Sequence, residues 1–282
     1  MSAPVLLLGH RGMLGRAFCE LFAATDRPFE GFDLPELDLA NPKQVETLFC
    51  RPWSGAINCA AYTNVDGAEL DEATALRANG TAPAILAAAC AHRHVPVVHF
   101  STDYVFAGDA QTPYPVDAPL QPLGAYGRSK AAGETAIRQS GAEFLILRTS
   151  WLYAPWANNF VRTMARLTRD KPELKVVDDQ RGRPTSAQHL AASTLLLLDR
   201  GVRGTLHLTD GGECSWYEFT LEIARLLGRA TLIRPCSTAE FPRPAPRPAY
   251  SVLDLGPTEA ILGAMPDWHS NLARVIAQLE PL

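Results

Sequence analysis

The hydrophobic pattern of this chain keeps one rhythm as far as about residue 150 and then loses it. Val5 to Leu8 is a short apolar run closed by Gly9, the signature of a buried strand. Arg16 to Ala24 switches to a helical period, and Phe29 to Phe32 reads as a second strand that ends at Asp33. Pro42, suited to a first helical position, opens a helix toward Phe49. Gly55 to Asn58 predicts a third strand, Glu69 to Cys90 a long alanine-rich helix, and Val95 to Phe100 a fourth strand. A proline-rich loop over 113–122 delivers a helix that starts near Tyr126, and Phe144 to Leu147 predicts a fifth strand. Strand and helix alternate throughout. That alternation predicts an α/β fold built on a doubly wound parallel sheet with helices on both faces.

After residue 150 the elements become short and uneven. Phe160 to Arg169 reads as a helix, Lys175 to Val177 as a strand, and Asp178 to Thr185 as a polar turn. Ala187 to Leu198 is helical again, and Thr205 to Leu208 predicts a last strand for the main sheet. Ser215-Trp216-Tyr217-Glu218 has the form of a capping box and opens a helix to Leu227. The stretch 235–248 is proline-rich and reads as loop, and His269 to Leu279 closes the chain as a helix. Residues 1–150, with a returning segment at about 186–210, are therefore expected to form the main domain. Residues 151–185 and 211–282 are too irregular to fold alone and are expected to form a smaller α/β lobe over the sheet's C-terminal edge.

The 282 residues, 47% of them hydrophobic, suffice for one large domain or for two that share a cleft. A formal net charge of −4 with no basic stripe argues against a nucleic-acid partner. No apolar run approaches the roughly 18 residues needed to span a bilayer, and no membrane association is expected. The N-terminal residues have neither a basic leader nor a cleavable apolar segment. Six scattered cysteines with no C-x-x-C pair read as free thiols in a reducing compartment, so a cytoplasmic protein is expected.

Candidate chemistry gathers at the ends of the strands. Gly9-His10-Arg11-Gly12-Met13-Leu14-Gly15 follows the first strand and opens a helix. Glycines there let the backbone approach a pyrophosphate, and the helix N-terminus offers N–H donors, which is the context of a dinucleotide site in a Rossmann-type sheet. Asp33 ends the second strand, where an acid can bond a ribose 2′-OH and favour NAD(H), or can simply shape a turn. Arg11 pulls toward a 2′-phosphate and NADP(H). Asp38 is a candidate for the adenine end or for a helix cap. Asn58-Cys59-Ala60-Ala61-Tyr62-Thr63 leaves the third strand with small residues that admit a flat cofactor. Asn79, inside the alanine-rich helix, reads as a surface polar residue. Tyr126 and Lys130 lie four apart on one helix face, so an ammonium would stand beside a phenol and lower its pKa from about 10. Ser101-Thr102 ends the fourth strand, and in a doubly wound sheet Thr102 and Tyr126 can meet at the same edge.

A glycine turn after the first strand, a Ser-Thr at the fourth and a Tyr-x-x-x-Lys on the next helix together resemble the short-chain dehydrogenase/reductase superfamily, in its extended branch acting on nucleotide sugars. Ser101-Thr102-Asp103-Tyr104-Val105-Phe106, Tyr126-Gly127-Arg128-Ser129-Lys130 with Gly133-Glu134, and Arg148-Thr149-Ser150-Trp151 narrow the resemblance to the dTDP-4-dehydrorhamnose reductases. So do Asp179 to Thr185, Ser215 to Phe219 and Arg247-Pro248-Ala249-Tyr250-Ser251, in the same order over essentially the whole chain. The resemblance implies reduction of the C4 keto group of dTDP-4-dehydro-L-rhamnose by NADPH, with NADH admissible. It implies cofactor contacts from Gly9, Arg11, Gly12, Met13 and Gly15, from Asp33, Asp38 and Leu39 toward the adenosine, and from Ala60, Ala61 and Tyr62. Tyr126 would protonate the forming alkoxide, Lys130 would hold the nicotinamide ribose, and Thr102 would bond the same oxygen. Thr102, Asp103, Trp151 and Arg247 would meet the dTDP-sugar, with Trp151 on the sugar and Arg247 on the diphosphate.

The glycine turn departs from the glutamine-bearing form common in these reductases and is closer to that of NADPH-using GDP-fucose synthases. The interfacial glutamates that hold magnesium in some members have no match, so no metal is expected, and a homodimer is admissible. A sugar-nucleotide dehydratase would need a second acid after Asp103, where this chain has Tyr104. Another 4-keto-6-deoxy sugar nucleotide as substrate, and a non-catalytic NADP-binding regulatory subunit, remain as alternatives.

Overall fold

A computed structural model describes residues 3–281. β1 (Val5–Leu8) ends in a turn whose Gly9 has φ +73°, and α1 (Met13–Ala24) starts three residues ahead of its apolar period. Gly15 therefore lies inside α1, pressed so closely on the turn that a Cβ there would stand 2.1 Å from the Gly9 carbonyl oxygen. β2 (Phe29–Phe32), α2 (Pro42–Leu48), capped by the Asn41 side chain, and β3 (Gly55–Asn58) follow as the pattern predicts.

The long helix expected from Glu69 to Cys90 is instead broken into pieces. α3 (Val65–Leu70) stops at Asp71, whose φ of −145° leaves the helix and whose carboxylate caps α4 (Glu72–Leu76) at the Thr74 N–H. A π-turn over Arg77–Thr81 then leads into α5 (Ala82–Arg93). Pro83 supplies the reason for the π-turn, since it has no N–H to offer the carbonyl of Asn79 four residues back. β4 (Val97–Thr102), α6 (Ala125–Gln139) and β5 (Phe144–Thr149) complete the regular half.

Beyond Thr149 come β6 (Leu152–Tyr153), α7 (Phe160–Asp170), β7 (Glu173–Val177), β8 (Arg181–Gly182) and β9 (Thr185–Ser186), so the expected turn over 178–185 carries two short strands. α8 (Ala187–Asp199), β10 (Gly204–His207), β11 (Cys214–Ser215) and α9 (Trp216–Leu226) follow, the last opened by the anticipated capping box. β12 (Leu232–Cys236) takes Pro235 out of the expected loop. It pairs on one side only, with β7, where a proline is tolerated. α10 (Gly256–Leu262), which the pattern did not reveal, and α11 (Trp268–Ala277) end the chain.

The main sheet is six-stranded and parallel, in the order β10-β5-β4-β3-β1-β2. Successive side chains on a strand face opposite ways, and the two cores divide accordingly. Leu7, Ile57, Val98, Phe100, Leu145 and Leu147 pack with Phe18 and Phe22 of α1 and Leu190 of α8. Leu6, Leu8, Ala56, Val97 and Ile146 pack with residues of α2 and α5 and with Ile137 of α6. By the same alternation Asn58 and His99 point to the α6 side. A third cluster, around Phe219, joins β6, α7, β7, α9, β12 and α11.

Candidate active site

Tyr126 sits in the first turn of α6, and several contacts fix where that turn lies. Glu69 accepts a hydrogen bond from the Ala125 N–H at 2.7 Å, as an acid at a helix start should. Gly127 lies against the Tyr104 carbonyl, where a Cβ would stand 2.2 Å from the oxygen. Asn79 does the rest. Expected at the surface, it is instead buried, and its Nδ2 donates to the Tyr62 carbonyl at 2.9 Å and to Ser129 Oγ at 3.0 Å. Its Oδ1 accepts the Tyr62 N–H at 2.9 Å, so the loop after β3 is tied to α6 through one amide. The clue in the sequence was an asparagine set between alanines and Gly80-Thr81-Ala82-Pro83, where a plain helix is least secure.

Thr102 and Asp103, both buried at the end of β4, reach the same place. The Thr102 hydroxyl donates to Asp103 Oδ1 at 2.9 Å and accepts the Tyr104 N–H at 3.2 Å. Burial pushes the Asp103 carboxyl up to about 6. Burial also raises the Tyr126 phenol, and the Asp103 charge raises it further against the Thr102 hydrogen bond. The lowering expected from Lys130 is therefore not what the site produces. Lys130 is turned away, with Nζ donating to the Phe100 carbonyl at 2.6 Å and meeting His99 Nε2 at 3.4 Å. Burial lowers the Lys130 ammonium to about 8, against the pull of Glu134 and Cys59. Tyr104 stands edge-on to Tyr126, with ring centroids 5.8 Å apart.

The glycine turn fits a dinucleotide. Gly9 is packed so that a Cβ would stand 2.6 Å from the Ala60 nitrogen, and α1 has Gly12 as its N-cap with no side-chain cap. Its first-turn N–H groups thus face outward beside Arg11 and Gly12, both exposed, and the half-buried Met13. Asp33 is committed to the turn, its carboxylate accepting the Arg11 N–H at 3.2 Å and the Leu34 N–H at 2.9 Å. The Arg11 guanidinium is paired with Glu36 at 2.6 and 3.1 Å. Asp38 caps the following turn at Ala40 and pairs with Arg77 of the π-turn. Leu39 is buried in the α2–α5 core, and Ala60, Ala61 and Tyr62 line the exit of β3. Trp156, which the sequence did not single out, donates to the Met13 carbonyl at 3.0 Å and brings the C-terminal half to the turn.

Trp151 and Arg247 are the two remaining candidate residues. Trp151, at φ +47°, stacks on Trp216 with centroids 3.5 Å apart, and Gly182 is pressed against its indole. Arg247 bonds Asp66 of α3 at 2.9 Å, and its charge reaches Tyr104. The segment it belongs to roofs a crevice lined by Val65, Glu69, Tyr104, Tyr126, Ala245 and Pro246. Among the described residues, no cluster of three or more His, Cys, Asp or Glu side chains could hold a metal ion, and no helix is long and apolar enough to cross a membrane.

The model of the RmlD substrate binding domain matches residues 3–280 of the chain. The chain is 42% identical to a Streptomyces antibioticus protein named "Probable dTDP-4,6-dihydroxy-2-methyloxan-3-one 4-ketoreductase", over 95% of this chain and 92% of that one. It is 38% identical to the dTDP-4-dehydrorhamnose reductase of Mycobacterium tuberculosis, over 98% of this chain and 93% of that one. Among solved structures it resembles the Bacillus anthracis dTDP-4-dehydrorhamnose reductase in complex with NADP. There the TM-score is 0.94 and the identity 35%, covering 99% of this chain and 100% of that one.

Proposed function

The chain belongs to the RmlD substrate-binding domain family, and from that premise we propose that it is an NAD(P)H-dependent reductase that converts dTDP-4-dehydro-L-rhamnose to dTDP-L-rhamnose. The observation that carries this reading is the placement of Tyr126 in the first turn of α6, edge-on to Tyr104 and next to the Thr102–Asp103 pair that ends β4, at the sheet edge that also bears the glycine turn. A reductase needs a proton donor at the carbonyl oxygen, and a phenol kept neutral by burial and by a neighbouring acid is a donor at every physiological pH.

A nicotinamide cofactor held at this edge would supply the hydride for C4. Tyr126 gives its proton to the oxygen as negative charge grows there, and Thr102 hydrogen-bonds the same oxygen. Gly9, Gly12, Met13 and Gly15 would hold the pyrophosphate, with Asp33, Asp38, Leu39 and Arg11 toward the adenosine. Ala60, Ala61 and Tyr62 would flank the ring, and Lys130 would hold its ribose. Tyr104, where a dehydratase would place a second acid, leaves no group to move protons at C5, so the chemistry stops at reduction. NADPH is the favoured cofactor and NADH an alternative, since Arg11 and Asp33 sit side by side. The residues 151–185 and 211–282 form the substrate lobe in this reading, with Trp151, Asp103 and Arg247 on the dTDP-sugar.

Oxidation of NAD(P)H followed at 340 nm tests it, with the keto sugar made in place from dTDP-4-keto-6-deoxyglucose by a 3,5-epimerase. Turnover that requires the epimerase supports the rhamnose precursor as substrate. Turnover without it assigns the unepimerised keto sugar, a substrate class consistent with the variety of names among the relatives. Cofactor binding with no turnover on either sugar points to a regulatory protein.

A further inference from the structure

Lys130 does not meet the sheet through its partner carbonyl alone. It is faced by the His99 ring and the Phe100 carbonyl from β4, by Cys59 beyond β3, and by Glu134 from its own helix. His99 is 1% exposed, and its two ring nitrogens both have neighbours. Nδ1 lies 3.1 Å from Asn58 Nδ2, and Nε2 lies 3.4 Å from Lys130 Nζ.

The orientation of Asn58 is not free. Its Oδ1 accepts the Ala60 N–H at 3.1 Å, which commits the other end of the amide, Nδ2, to the imidazole. An amide NH₂ only donates, so His99 Nδ1 must be the acceptor. A neutral imidazole that accepts at Nδ1 carries its proton at Nε2, and burial together with the Lys130 charge holds His99 neutral. The Nε2–H then points at Lys130. An ammonium offers nothing but N–H groups in return, whereas a neutral amine offers a lone pair.

We propose that His99 is a positioning residue that governs the charge of Lys130, through an imidazole tautomer fixed by Asn58. The backbone N–H of Ala60 sets the amide, the amide sets the tautomer, and the tautomer presents a donor to the lysine. The lowered proton affinity of Lys130 agrees with that arrangement. The assignment rests on the reductase reading for its consequence, because a Lys130 that holds the cofactor ribose does so best as an ammonium. Cofactor affinity should then fall as pH rises through about 8.

Two measurements made without substrate test it. Long-range proton–nitrogen NMR of the wild-type protein should show His99 as the Nε2–H tautomer, unchanged between pH 6 and pH 9, and an Nδ1–H tautomer or an imidazolium would overturn the proposal. Titration calorimetry of NADH and NADPH across the same range should show the alkaline loss of affinity. Asn58→Asp gives His99 Nδ1 a carboxylate to donate to and turns Nε2 into an acceptor, so the loss should move upward by at least one pH unit. The new charge alone would act in the same direction, so the substitution is repeated in a His99→Phe background. A shift of equal size there would show charge and not tautomer at work, and would sink the idea. A lowered unfolding temperature with no movement of the loss would mark a merely structural role. A protein that reduces no dTDP-sugar leaves both measurements intact, and their failure leaves the reductase reading intact.

Discussion

Asn79 grips the backbone of Tyr62 from both sides, donating to its carbonyl and accepting from its N–H, each at 2.9 Å. The same amide reaches Ser129, one residue before Lys130. Asn79→Ala would leave buried polar groups of the β3 exit and of α6 without partners. The expected cost is about 1–3 kcal/mol of stability. Because Tyr62 and α6 lose their common tether, kcat should fall about tenfold or more, a loss larger than the thermal shift alone would cause. Denaturation midpoints and steady-state kinetics on the same preparation separate the two effects.

Tyr126→Phe removes the proton and little else, since the ring keeps its edge-on contact with Tyr104. The expected outcome is a fall in kcat of about 10²–10⁴-fold with cofactor affinity preserved. Stopped-flow or steady-state oxidation of NAD(P)H, with calorimetry for the cofactor, reads both. Activity retained within a factor of a few would remove Tyr126 from the chemistry.

Asp103 has a folded-state pKa raised by burial to about 6, above its usual 3.8. The folded protein therefore binds the proton more tightly than the unfolded chain. Its contribution to stability is complete below about pH 4 and is lost as pH rises to about 6. At pH 7 the buried carboxylate is a net liability. Asp103→Asn should flatten that part of the stability profile and raise stability at pH 7 by up to about 3 kcal/mol. Urea unfolding at pH 4, 5, 6 and 7 measures the slope, and an unchanged profile would show that Asp103 ionises normally.

Glu134 and Arg148 form a bidentate pair at 2.8 and 2.9 Å, and both are buried between α6 and β5. Arg148 is also anchored by the Val116 carbonyl at 2.7 Å, so this ion pair fastens the proline-rich loop as well. Arg148→Met alone should cost about 3–5 kcal/mol, because it removes the bidentate partner of a buried carboxylate and leaves Arg138 as its remaining ion-pair contact, with Lys130 further along the helix. The double substitution with Glu134→Leu should recover much of that loss, as apolar pairs of similar size often replace buried ion pairs without penalty. A double-mutant cycle by chemical denaturation gives the coupling directly.

The regular half of the fold was legible because the inner strands β1, β3, β4 and β5 are buried on both faces, while the edge strand β2 is half-buried. Leu6, Leu7 and Leu8 all had to be apolar, so β1 stood out as an apolar run. The irregular half lacked that constraint. β8, β9 and β11 are two residues long and leave no period, and Pro235 masked β12, whose one-sided pairing accepts proline. At the site, Asp103 entered only through the resemblance, whereas Thr102 and Tyr126 could be brought together from the geometry of the sheet edge. The charge of the phenol could not. Spacing on a helix says that Lys130 lies one turn from Tyr126, but not that its ammonium turns to Phe100 and His99, and only packing decides that. Asn79 was misplaced for a related reason, since a π-turn shifts the face on which a helical residue lies.

Asp66 holds Arg247 at 2.9 Å and Arg243 at 3.7 Å, and also accepts the Ala245 N–H at 3.3 Å. One carboxylate on α3 thus anchors the stretch 243–247 beside the crevice that Tyr126 lines. In the proposed complex a diphosphate would approach Arg247, and Asp66 would then be a competing anion for the same guanidinium. Arg247→Met should raise KM for the dTDP-sugar about 10–100-fold, the worth of one or two charge-assisted hydrogen bonds, with kcat little changed. Asp66→Asn should act the other way and lower KM, because the guanidinium is released while the amide oxygen can still accept the Ala245 N–H. If Arg247 served only to pin the roof, both substitutions would loosen the same contact and KM would rise in each. The opposite signs distinguish a residue that binds the diphosphate from one that only holds the segment in place.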